Sequence, residues 1–92
     1  MLIRWTALAQ QDLADIGDFI ALDNRVAASA TVRAIFDQVQ HLSQFPKMGR
    51  PVLTNVRQLV IRQTPYLVHY RLTDAVEILR VYHGRRRWPE RG

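Results

Sequence analysis

The chain predicts an α+β fold: an antiparallel sheet in the order β-α-α-β-β-β, with a helical hairpin packed on one face. Two observations carry this. In the first half, apolar residues recur twice at helical spacing; in the second, strand-like segments follow one another through short turns. Leu2 to Trp5 is a short apolar strand, and Thr6 offers a hydroxyl as the N-cap of a helix. Ala9, Leu13, Ile16 and Ile20 then make one helical face, with Asp12, Asp15 and Asp18 mostly off it. Asp23-Asn24 is turn chemistry. A second helix carries Ala28, Val32, Ile35, Val39 and Leu42, and Phe45-Pro46 ends it, because the residue before proline is pushed out of the helical region. Ala27, Ala28 and Ala30 let the two helices approach closely, and their short connection makes them antiparallel neighbours.

Lys47 to Asn55 reads as a loop punctuated by Pro46, Gly49 and Pro51, and Arg57 to Arg62 as a strand. Tyr66 to Leu72 follows, with Tyr66, Val68, Tyr70 and Leu72 on one face and Leu67, His69 and Arg71 on the other. Thr73-Asp74 turns the chain into a last strand, Ala75 to Tyr82, apolar on both faces and therefore central. A basic tail built on Arg85, Arg86, Arg87 and Trp88 closes the sequence.

The 92 residues are read as a single domain over 1–92, and 48% hydrophobic content marks a folded chain. There is no cysteine, so disulfides and thiolate metal sites are excluded. No apolar run approaches the ~20 residues of a membrane span, and MLIRWTALAQQDL has no continuous apolar region of the kind a secretory leader needs. A cytoplasmic protein without membrane contact is expected. Charge is uneven. Three arginines meet five aspartates in residues 1–45, whereas residues 46–92 hold ten basic groups against Asp74, Glu77 and Glu90. From Lys47 to Arg71 there is no carboxylate at all, which favours an anionic partner.

Catalytic chemistry is thinly represented. His41, His69 and His83 have no metal-ligand spacing, and no glycine-rich phosphate loop or serine nucleophile elbow occurs, so neither metal nor cofactor is expected. Cleavage of RNA needs a base for the 2′-hydroxyl and cations for the phosphorane. Arg62, Arg71, Arg80, Arg85 and Arg86 are candidate cations, and His83, at the end of the last strand, is the best-placed base. The strand tyrosines read as core.

In their order the motifs resemble the RelE/ParE superfamily of type II toxins. The resemblance rests on the early helix, Phe45-Pro46 with Gly49-Arg50, Arg57-Gln58-Leu59-Val60, Pro65-Tyr66 with Tyr70-Arg71, and Ile78 to Arg86 closing on Trp88-Pro89. It spans nearly the whole chain. RelE-like members cleave mRNA in the ribosomal A site with lysines on one strand, an arginine on the next, a later arginine and a C-terminal tyrosine. Here Gln58 and Val60 stand at the lysine positions and Leu67 at the strand arginine. Arg86 alone matches, and no tyrosine follows Tyr82. In another ribonuclease branch a glutamate, an arginine and a histidine act together; His83 fits that histidine, but no glutamate precedes Glu77.

These departures imply ParE-like action: inhibition of DNA gyrase by binding rather than catalysis, with silencing by a ParD-like antitoxin and DNA met only indirectly. The antitoxin is expected to fold an acidic, initially disordered tail along the helical hairpin and an open sheet edge. Arg80, Arg85, Arg86, Arg87 and Trp88 are the expected target-binding residues. The alternative is a ribosome-dependent mRNA endoribonuclease using His83, Arg71 and Arg86. A third reading is a module that binds only an antitoxin or operator complex and has lost toxicity.

Overall fold

The computed structural model describes residues 1–85. The elements are β1 (Ile3–Trp5), α1 (Ala7–Ala21), α2 (Arg25–Gln40), a 3-10 turn (His41–Ser43), β2 (Arg50–Leu53), β3 (Val56–Val60), β4 (Tyr66–Leu72) and β5 (Val76–His83). The fold is α+β as expected, but the sheet is mixed rather than antiparallel. Its order is β1-β5-β4-β3-β2, and β1 runs parallel to β5, with Ile3 opposite Val76 and Trp5 opposite Ile78. A parallel pair is closed by a long crossover. Here the crossover is everything from α1 to β4, so no local turn motif announces it.

A second correction concerns Lys47 to Asn55, which is not all loop. Arg50–Leu53 forms the edge strand β2 and pairs antiparallel with β3. Thr54 and Asn55 make the turn, and Asn55 sits at φ +60, a region that asparagine tolerates better than most residues. Pro51 is accommodated because an edge strand has one side without ladder bonds.

Both helix starts follow from their caps. Thr6 Oγ1 accepts the Ala9 amide at 3.2 Å, and Asn24 Oδ1 accepts that of Ala27 at 2.9 Å. α2 ends at Gln40, earlier than Phe45, and the 3-10 turn keeps Leu42 buried. Of the three alanines expected between the helices, Ala28 is buried and Ala30 is exposed. The tight point is Gly17, where an added Cβ would stand 3.2 Å from Val32 Cγ2. Ala9, Ile35, Val39 and Leu42 then pack with Leu59, Ile61, Val68, Tyr70, Val76, Ile78 and Val81 into one core.

Strict alternation fails at the edge, where Val52 is passed over between Pro51 and Leu53, and again in β5. His69 pairs with Arg80 and Tyr70 with Ile78, so Leu79 is passed over. This bulge shifts the side-chain parity and lets Ile78 and Val81, three residues apart, both enter the core. Thr6 secures it: its hydroxyl donates to Ile78 O at 2.7 Å and, more weakly, to Leu79 O at 3.3 Å.

Beyond Ile78 the short β1 no longer covers β5, and α1 supplies the missing acceptor. Asp12 Oδ2 takes the Val81 amide at 2.9 Å and Arg80 Nε at 2.8 Å, while Oδ1 takes Arg80 Nη2 at 3.1 Å. One carboxylate thus stands in for a strand and ties the helix to the sheet.

Candidate functional site

The basic end of β5 was expected to gather Arg80, Arg85, Arg86, Arg87 and Trp88. Arg80 is not at that end. It lies inside β5, committed to Asp12, with its guanidinium carbon 5.0 Å from the Tyr82 ring centroid. This pairing gives Arg80 a structural partner on α1 besides the target contact expected of it. Arg85 is exposed just beyond β5, and its amide donates to His83 Nδ1 at 3.1 Å. Arg86, Arg87 and Trp88 lie outside the described residues.

The ribonuclease alternative does not assemble among the described residues. His83 pairs in register with Tyr66, and their rings meet edge to face at 5.4 Å. Arg71 is opposite Glu77, five residues further along β4. At ~3.3 Å per residue the two lie roughly 17 Å apart along the strand. Arg71 Nε is also bonded to Glu77 Oε1 at 2.6 Å, and Arg4 reaches Glu77 Oε2 at 3.2 Å. The Arg71 hydrogen bond foremost, with Arg4 beside it, holds the Glu77 carboxyl below its ordinary range. Base and clamp therefore sit at opposite ends of one hairpin.

The positions where a RelE-like ribonuclease would carry cations have other roles here. Gln58 is bonded through Oε1 to His69 Nε2 at 3.0 Å, and Val60 is an exposed apolar residue on β3. Leu67 is half-buried opposite Val60. Burial lowers the His69 pKa from 6.5 to about 4. The unfolded chain takes up that proton near pH 6.5 and the folded chain only near 4, so His69 disfavours folding as the pH falls through this window. Stability should be complete above pH ~6.5 and lose about 3 kcal/mol by pH ~4 through this group. Urea midpoints of wild type should fall between pH 6.5 and 5, and those of His69→Gln should fall less. Equal slopes would refute the assignment.

A separate apolar groove runs between the helices. Trp5, Leu13, Gly17, Val32 and Phe36 line it, with Asp18, Arg33 and Asp37 around it. The Trp5 and Phe36 rings lie nearly parallel, 6.2 Å between centroids at 10°. Phe36 lies beside the apolar stripe of α2 and is partly exposed, and Trp5 is only half-buried at the sheet edge. The signal was present: Phe36 follows the core residue Ile35 and falls off its stripe. No group of His, Asp or Glu among the described residues is placed to hold a metal ion, and no described helix is long and apolar enough to cross a membrane.

A small mixed sheet with a helical hairpin and a basic half is the architecture this chain shares with toxins of the type II toxin–antitoxin class. The family model described as the ParE toxin of the type II toxin–antitoxin system parDE matches residues 3–88, and the chain belongs to that family within the RelE/ParE superfamily. The Sinorhizobium fredii protein Y4kP, whose name makes it a candidate toxin, is 39% identical over 89 residues, covering 96% of this chain and 93% of that one. Toxin RelE2 of Caulobacter vibrioides is 31% identical over 85 residues, covering 91% and 96% respectively. A solved structure of the chromosomal ParDE system from P. aeruginosa superposes with a TM-score of 0.82 at 31% identity, covering 90% of this chain and 95% of that chain. Membership implies an antitoxin partner.

Proposed function

We propose that this chain is a ParE-like toxin that inhibits DNA gyrase in the cytoplasm and is neutralised by its cognate antitoxin. The observation supporting this reading is that the described positions a ribonuclease would draw on hold other residues or are committed to other contacts. Gln58 serves His69, Arg71 serves Glu77, and Arg71 lies far along the hairpin from His83. What remains for a target is a surface that binds. Arg85 is exposed at the end of β5, and Arg86 and Arg87 follow it in sequence. Adjacent arginines gain little from packing and suit an anionic or acidic surface. The helical groove is separate from this end and is the natural seat for an amphipathic antitoxin helix.

Changing Arg85, Arg86 and Arg87 together to alanine should weaken inhibition of gyrase supercoiling by about tenfold or more. That corresponds to ~1.4 kcal/mol, the scale of one charged hydrogen bond. Antitoxin affinity should be retained, and stability should change little, because each exposed substitution typically moves it by about ±0.5 kcal/mol. Supercoiling assays with purified protein test this. Codon-dependent cuts in mRNA on translating ribosomes, with gyrase unaffected, would overturn the gyrase reading.

A further inference from the structure

We propose that the antitoxin holds this chain at a second place besides the helical groove: the braced loop 45–49, which takes an acidic segment carrying bulky apolar side chains. The inference rests on the antitoxin reading above and adds to it a site and the chemistry of its occupant.

Phe45 is 61% exposed and Met48 47%, and with Pro46 and Lys47 they form an almost wholly apolar concavity. An exposed apolar loop would ordinarily be costly to hold open, yet this one is held firmly from beneath. The Tyr70 hydroxyl donates to Pro46 O and accepts the Gly49 amide, both at 2.8 Å. Arg57 Nη1 donates to Gly49 O at 2.7 Å and Lys47 O at 3.3 Å, and the Met48 amide bonds Phe45 O at 3.0 Å. Burial raises the Tyr70 pKa, so its hydroxyl remains a donor. The backbone is ordered before any partner arrives, which removes an entropic cost from binding.

Charge selects the occupant. Lys47 and Arg50 are exposed beside Phe45 and Met48, and the run from Lys47 to Arg71 has no carboxylate. An acidic segment is attracted and a basic one repelled. The exposed apolar residues at the helix turn, Phe19, Leu22 and Val26, match an acidic segment less well, because Asp15, Asp18 and Asp23 outnumber Arg25 around them.

Position links the loop to the groove. Trp5 walls the groove, and from it the chain runs back through Leu2 and Met1, 69% and 47% exposed. The Met1 amino group donates to Ser43 O at 2.6 Å, two residues before Phe45. Met1 to Trp5 spans about 13 Å of extended chain. One occupant leaving the groove beside Trp5 thus crosses Leu2 and Met1 to reach Phe45 and Met48.

Isothermal titration with full-length cognate antitoxin tests this. The Phe45→Ser/Met48→Ser variant should bind at least ~10-fold more weakly than wild type, as loss of two buried apolar side chains implies. Lys47→Glu should weaken binding several-fold and flatten its salt dependence. Phe19→Ser/Val26→Ser should bind as wild type does, and all three variants should melt close to wild type. Unchanged affinity in the double loop variant and Lys47→Glu would overturn the inference while leaving the antitoxin reading standing. So would loss of toxicity with antitoxin affinity intact, which would give the patch to the target instead. Failure of wild type to bind the antitoxin would overturn both.

Discussion

Gly49→Ala is expected to lower the melting temperature by roughly 10–20 °C, the largest effect of an added Cβ among the described glycines. An added Cβ would stand 2.7 Å from both Cε1 and Oη of Tyr70 and 2.8 Å from Gln58 O. Two of these atoms belong to a buried ring and the third to backbone, so neither neighbour moves freely. Overpacking alone costs about 1–3 kcal/mol, and displacing the Tyr70 hydroxyl from Gly49 N and Pro46 O adds about 1 kcal/mol more. For a domain of this size each kcal/mol moves the midpoint by roughly 4–8 °C. Tyr70→Phe isolates the hydrogen-bond part. It should cost about 1–3 kcal/mol, because the Gly49 amide and Pro46 carbonyl lose their partner without steric conflict. Calorimetry on both variants decides the matter: a Gly49→Ala midpoint within ~3 °C of wild type would show that the latch yields.

Asp12→Ala should cost about 2–4 kcal/mol, more than Arg80→Ala. The carboxylate is mostly buried and receives three hydrogen bonds, two from Arg80 and one from the Val81 amide. Removing it takes away the acceptor that a partly buried guanidinium and a backbone donor share. Removing Arg80 instead leaves Asp12 still bound to Val81. Asp12→Asn should fall between the two, since an amide oxygen retains an acceptor but not the charge. Urea unfolding of the three variants and of the double Asp12→Ala/Arg80→Ala provides a coupling energy. Additive losses would mean that the pair contributes nothing beyond its separate parts. A larger loss in Arg80→Ala than in Asp12→Ala would show that Val81 does not depend on the carboxylate.

The local layers of this protein were legible because their causes are local. Thr6 and Asn24 begin helices with their own side chains, and Ala9, Leu13, Ile16 and Ile20 mark a face by spacing alone. The strand residues Tyr66, Val68 and Tyr70 alternate into the core as their period requires. β2 was missed although Thr54-Asn55 carried turn chemistry, because Pro51 and the adjacent Gly49 argue locally for a loop and only an edge position makes Pro51 tolerable. The candidate site was less legible. The departures at Gln58, Val60 and Leu67 could be read directly, but the roles of Arg80 and Arg71 could not, since each is decided by a carboxylate on another element.

From the sequence alone came the two helices, the order of the later strands, the basic half and the resemblance to the RelE/ParE superfamily. These depend on residue type and on spacings of a few positions, so each short segment carries its own cause. Only the tertiary structure decided that β1 runs parallel to β5, that Leu79 is bulged, that Asp12 completes the edge of β5, and that Tyr70 braces a loop 24 residues away. Each of those requires a donor and an acceptor distant in sequence to meet within about 3 Å, a condition set by how helices and sheet pack and not by any segment's own pattern.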